Sequence, residues 1–202
     1  MRTPAVATFL FVFVVLQQSA NSQAAVQAAD SLKPNTLNPD RPKPDTLNPN
    51  APPQLSYFAF LVGNWKCDVL VKQPDGTPVH LDADWRGHYI LDGYAIADQF
   101  SMRDPQGELI TSGMNFRSFN VREHAWNMKW FEGISSVWQD IGEVEILDSS
   151  ITYRIQVSAS AIHRIKYYHI SNTHFDWSAD ISKDNGKTWE ESVMTISADR
   201  KL

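Results

Sequence analysis

From about Ser56 to the C-terminus, apolar residues recur at every second position, in runs of eight to twelve broken by clusters of Pro, Gly, Asp and Asn. Side chains of a strand alternate between faces, so this period marks half-buried strands, and no stretch keeps a helical period. The breaks read PDGTP at 74–78, LDG at 91–93, DPQG at 104–107, LDSS at 147–150 and KDNGK at 183–187, which are hairpin turns. About ten strands rich in Val, Ile, Thr, Tyr, Phe and Trp are predicted between them. They fall near 63–73, 79–90, 94–103, 108–118, 125–132, 136–146, 151–158, 161–170, 174–182 and 188–200. Ser56–Val62 reads as one helical turn across an open end. Short turns between consecutive strands make an up-and-down meander, and closing it removes both exposed edges. The predicted fold is all-β, a closed antiparallel barrel of about ten strands.

The N-terminus is of another kind. Arg2 precedes the apolar run Pro4–Leu16, and polar residues follow, with Ser22 and Ala24 as small residues at −3 and −1 of a cleavage site. That is the plan of a secretory signal peptide over 1–24, with a secreted or periplasmic product. The run is short for a membrane span, so no stable membrane insertion is expected after cleavage. Residues 25–54 are proline-rich and hold a tandem near-copy, KPNTLNPD at 33–40 and KPDTLNPN at 43–50. Proline removes donors and restricts the residue before it, so an extended flexible spacer without a core is expected. Residues 55–202 are left as one domain, long enough to bury a core of its own. The single cysteine, Cys67, excludes an internal disulfide framework and a multi-cysteine zinc site, and burial is its expected state. A net charge of −5 without a basic cluster argues against a nucleic-acid surface.

Ser182–Trp189, SKDNGKTW, is similar to the Asp-box hairpin repeated in sialidase propellers. Ser182 and Asp184 are expected to bond turn amides, Gly186 to supply the unusual backbone angle, and Trp189 to pack beneath. A propeller needs many blades and the chain has one copy, so the motif marks a hairpin rather than glycosidase chemistry.

Phe60-Leu-Val-Gly-Asn-Trp65 opens the first strand and Ser197-Ala-Asp-Arg200 ends the last. A Gly-x-Trp on the first strand and an Arg on the last resemble the lipocalin (calycin) signature, in which the guanidinium closes over the indole at the sealed end. Such a contact gains about 0.5 to 2 kcal/mol. The order of Leu61–Trp65, Trp85–Ile96 (WRGHYILDGYAI) and Ser182–Trp189 also resembles an uncharacterised bacterial family of secreted lipocalin-like domains. Cys67 stands where related barrels often carry glycine. The resemblance implies a barrel with a ligand-sized cavity and implies no reaction.

Three groups of residues are candidates for function. Trp85 with Tyr89, and Trp126 with Trp130, share strand parity, so each pair lies on one face and would line an apolar pocket or fill the core. The row His80, Asp82, Asp84, Arg86 and His88 has the residue types of a divalent-metal or acid–base site, but Trp85 should point inward and the row outward to water. His163, Tyr167 and His169 share one parity on a late strand. In barrels similar to nitrobindin a late-strand histidine ligates haem iron, which makes haem the alternative cofactor to none. No phosphate loop, HExxH or GxSxG occurs.

The expected function is binding of a small hydrophobic molecule in the barrel, with Trp85, Tyr89, Trp126, Trp130, Tyr167 and His169 as its lining and Trp65 with Arg200 as the closed end. The alternatives are a barrel isomerase, cyclase or hydrolase on a hydrophobic substrate, nitrobindin-like haem binding, and a structural module presented by its spacer.

Overall fold

The computed structural model describes residues 46–201. The signal peptide and most of the spacer, with the first copy of the repeat, lie outside the described residues.

Ten strands form: β1 (Gly63–Lys72), β2 (Pro78–Ile90), β3 (Ala95–Arg103), β4 (Leu109–Asn120), β5 (Ala125–Glu132), β6 (Val137–Leu147), β7 (Ser150–Gln156), β8 (Ile162–Tyr168), β9 (His174–Ser182) and β10 (Glu190–Arg200). Each pairs antiparallel with its sequence neighbours, and β1 pairs with β10 from Trp65↔Arg200 to Val71↔Met194, closing the barrel. The expected strands are all present, with ends shifted by no more than two residues. The sequence reading extends β8 to residue 170, but the chain leaves the sheet at His169, whose φ of 50° is left-handed.

One face of every strand points inward, as the register shows. Trp65 pairs with Trp85, Trp85 with Phe100, and Tyr167 with Trp177 and Ile151. In β4 the pattern runs against hydropathy: Asn115 and Arg117 are buried inside, while Met114 and Phe116 face out and are only partly covered.

Two ends of the barrel differ. At the end holding the β2–β3, β4–β5 and β8–β9 turns, a 3-10 segment, Pro53–Leu61, lies across the opening and buries Leu55, Phe58 and Leu61. It is longer than the single turn expected, and it covers the closed end. We call it the plug. Trp65 Nε1 donates to Leu61 O (3.1 Å), and the Arg200 guanidinium stands 4.1 Å from the Trp65 ring centroid. Arg200 also donates from Nη1 to Val62 O (2.9 Å), from Nη2 to Phe60 O (3.3 Å) and from Nε to Asn172 O (2.5 Å). A Cβ on Gly63 would overlap Arg200 Nη1, and Gly63 holds a φ of 129° that side chains disfavour.

The last residues of the expected spacer are also placed against the barrel. Leu47 packs on the core, and Asn48 bonds the Leu91–Gly93 turn.

Candidate functional site

The interior divides into a packed floor and a mouth. Under the plug, Trp65, Phe175, Trp85 and Phe100 meet edge to face at centroid distances of 4.9 to 5.5 Å. Phe60 touches Tyr167 and Phe175, and Phe58 meets Trp126 at 4.9 Å.

Set into this apolar floor is a polar cluster. The Asp98 carboxylate pairs with the Arg117 guanidinium through Oδ1 and Nη1, both side chains fully buried. Asp98 Oδ2 accepts from Trp85 Nε1 (2.7 Å) and Asn115 Nδ2 (2.9 Å). Arg117 Nη2 donates to Tyr167 Oη (3.1 Å), which lies 3.4 Å from Tyr153 Oη, and Phe58 of the plug lies on the guanidinium at 5.0 Å. Among the described residues Arg117 Nε donates to no partner. Burial pushes the Tyr167 phenol well above its usual pKa, and the adjacent Tyr153 adds to this against the pull of Arg117. A desolvated ion pair is costly unless its remaining polar atoms are held, and here Trp85, Asn115 and Tyr167, from three strands, hold all but Arg117 Nε.

The opposite end, which carries the β1–β2, β3–β4, β5–β6, β7–β8 and β9–β10 hairpins, is where inward-facing side chains stay partly exposed. Leu81, Trp130, Gln139, His163 and Ile181 are all of this kind, and Trp177, opposite Tyr167 in mid-strand, is also inward and partly exposed. Trp130 lies over Gly113, where a Cβ would overlap its ring. His163 faces Ile155 and Ile181 and makes no side-chain hydrogen bond among the described residues, and burial lowers its pKa, so the neutral imidazole prevails. Glu132 sits at this rim. Burial alone would raise its pKa, but Ser135 Oγ and N (2.6 Å each) and Ile134 N (3.2 Å) donate to the carboxylate and lower it.

The structure separates the residues singled out in the sequence. Trp85, Trp126 and Tyr167 belong to the packed floor and plug contacts, Tyr89 is a buried inward residue near the closed end, and Trp130 is at the mouth. His169 is not in the wall with Tyr167. It lies in the β8–β9 turn, exposed, with Nδ1 2.7 Å from Asp176 Oδ2. Cys67 is buried in the core, and desolvation, with the Asp84 charge, raises its thiol to about 12. The row His80, Asp82, Asp84, Arg86 and His88 faces outward, with Asp84 paired to Lys201, beside an external polar groove of about 470 Å³. Among the described residues no three of His, Cys, Asp and Glu gather as a metal-binding set.

The octapeptide is one hairpin. Ser182 Oγ accepts from Gly186 N (2.7 Å), Asp184 accepts from Thr188 N (2.8 Å) and Oγ1 (2.6 Å), and Trp189 Nε1 donates to Gly186 O (3.2 Å). Its indole carries the Arg164 guanidinium at 4.3 Å on the barrel exterior.

Asp98, Asn115, Arg117 and Trp177 are additions to the sequence reading. The available signal was parity: Asp98 alternates in phase with Ile96, Phe100 and Met102, and Trp177 with Phe175 and Ala179.

No family model matches the chain, and no curated protein matches it. Two solved structures share its architecture. The Rv2717c protein of M. tuberculosis superposes with a TM-score of 0.55 at 12% identity, over 76% of this chain and 100% of that one. The S-type phycobiliprotein lyase CPES of Guillardia theta superposes at 0.51 and 10% identity, over 73% of this chain and 92% of that one. At such identities the likeness is one of fold alone, here a closed ten-stranded antiparallel barrel.

Proposed function

We propose that the protein is a secreted or periplasmic lipocalin-like binding protein that takes one small apolar or aromatic molecule into the barrel through its hairpin end. Trp177 carries the reading. It sits mid-strand with its side chain inward, between Tyr167 and Ile196, yet it stays partly exposed, and its indole N–H has no partner among the described residues. An inward ring that still meets solvent has space beside it. With Trp130, Leu81 and Ile181 on the same inner face, that space is apolar with a few polar atoms to orient a guest. Burial of ligand surface supplies about 25 cal/mol per Å² before ordering costs.

The guest is neutral. Among the described residues the inward-facing cations are Arg117, engaged by Asp98, and Arg200, engaged by three carbonyl oxygens, so neither is spare for a ligand carboxylate. Native mass spectrometry of protein taken from its own secretion route tests the reading by showing a co-purified neutral molecule. A neutral naphthylamine probe should quench tryptophan emission on binding. Protein that carries no guest and leaves the probe unbound overturns it.

A second reading, haem binding, draws on His163. Its neutral imidazole faces the interior without a hydrogen-bond partner among the described residues, which is the donor chemistry an axial ligand requires. There it would hold the iron, and the apolar wall would shield the porphyrin. A Soret band on haem addition, lost in His163→Ala, supports it; an unchanged haem spectrum ends it.

A further inference from the structure

Two phenols meet at the boundary between floor and mouth, and their protons do not balance. Tyr167 Oη accepts from Arg117 Nη2 (3.1 Å) and lies 3.4 Å from Tyr153 Oη. A guanidinium can only donate, so toward Arg117 the Tyr167 oxygen is an acceptor. The two tyrosines bring two O–H protons to the one link between them. Whichever oxygen donates across it, one proton is left over, and among the described residues neither tyrosine donates elsewhere. Both side chains are buried, Tyr153 at 3% exposure and Tyr167 at 0%, and burial keeps the Tyr167 phenol protonated. A buried donor without an acceptor is destabilising and calls for a partner.

Tyr153 is the phenol placed to offer the spare proton. Tyr167 is enclosed by the rings of Phe58, Phe60, Trp85 and Phe175, which accept nothing from it. Its own proton therefore goes to Tyr153 Oη. Tyr153 also stands one inward row nearer the mouth: Ile151↔Tyr167 comes first, then Tyr153↔Ile165, then Ile155↔His163. In the middle row β9 contributes only Ala179, where the deeper row has Trp177. Trp177 is partly exposed, and solvent that reaches it from the hairpin end passes the Tyr153 row. Resting on the binding reading above, we propose that the guest is a neutral carbonyl compound whose oxygen accepts the Tyr153 O–H at the inner end of the cavity. The donor is a strong one, because Arg117 polarises Tyr167 and Tyr167 in turn polarises Tyr153. A carbonyl suits this end better than a hydroxyl does. It brings an acceptor and no donor, and the Asp98 oxygens are already taken by Arg117, Trp85 and Asn115.

The test uses the full chain and two probes of one shape, 2-acetylnaphthalene and 2-ethylnaphthalene, which differ by a carbonyl. Quenching of tryptophan emission measures each affinity. Tyr153→Phe should weaken 2-acetylnaphthalene about fivefold, the effect of one neutral hydrogen bond, and leave 2-ethylnaphthalene unchanged. In the native protein, the infrared carbonyl stretch of bound 2-acetylnaphthalene should lie below its frequency in hexane, and Tyr153→Phe should return it toward that value. Should the variant lose both probes by misfolding, the native stretch decides alone. A hexane-like stretch in the native protein, or a variant that holds both probes as the native does, overturns the carbonyl contact and leaves the binding reading standing. Native protein that binds neither probe overturns both.

Discussion

Asp98 and Arg117, on neighbouring strands, face each other inside the barrel with no solvent reaching either side chain. Removing one charge strands the other in an apolar surround. Asp98→Ala or Arg117→Ala should therefore each cost about 3–5 kcal/mol, whereas Asp98→Leu with Arg117→Met should recover most of the loss. Urea unfolding of the three variants measures it. A double replacement that costs as much as the two single replacements added together would show that the pair is not coupled.

Gly63 and Arg200 share the other lock. Gly63→Ala pushes a methyl group into the guanidinium and strains a positive φ, so it should destabilise as much as Arg200→Ala or more. Arg200→Ala forfeits a cation–π contact of about 0.5 to 2 kcal/mol and three donated hydrogen bonds, and it uncovers Trp65. Thermal melts, with a red shift of tryptophan emission, report both changes.

Binding should discriminate between two tryptophans. Trp177→Ala should weaken a neutral apolar probe by about tenfold, roughly 1.4 kcal/mol. Trp138→Ala, on the outer face beside Phe131 and 53% exposed, should leave the affinity unchanged. Fluorescence titration compares them.

Two histidines set opposite pH dependences. Burial depresses the folded pKa of His163 below 6.5, so its contribution is complete above 6.5 and is lost as pH falls through the folded value. The hydrogen bond that His174 Nδ1 donates to Asp199 Oδ1 raises the pKa of His174, so its contribution is complete below 6.5 and is lost as pH rises through the raised value. His163→Gln should flatten the acid-side decline in stability. His174→Gln should destabilise most below pH 6.5 and least in alkali. Midpoints across pH separate the two.

Asp184 tests the hairpin. Hydrogen bonds from the Thr188 side chain and backbone hold its pKa at about 2 against an ordinary 3.8. Its contribution is present above 3.8 and disappears as pH falls through about 2. Asp184→Asn should lower stability at neutral pH and remove that acid-side step.

The architecture was legible because period two and turn chemistry agree along the whole domain. Ala125–Glu132 and His174–Ser182 match the expected strands to the residue, their ends set by turns rather than by tertiary context. The interior was less legible. Hydropathy places Met114 and Phe116 inside, but the Asp98 charge across the sheet makes the opposite parity of β4 the buried one, carrying Asn115 and Arg117 with it. His169 matches Tyr167 in parity, but its left-handed backbone takes it out of the sheet before parity can act. No spacing rule marks where a strand's parity stops.

The pairing of β1 with β10 joins Trp65 to a residue 135 positions later (200 − 65). Contacts so distant in sequence slow folding, because the entropy of closing the loop is spent before the contact can return it. A chain emerging from the ribosome meets this in order. Nine strands can be synthesised and paired while two edges remain open, until the C-terminal residues arrive to seal them. Loss of those few residues would leave a sticky, open sheet in place of a ring.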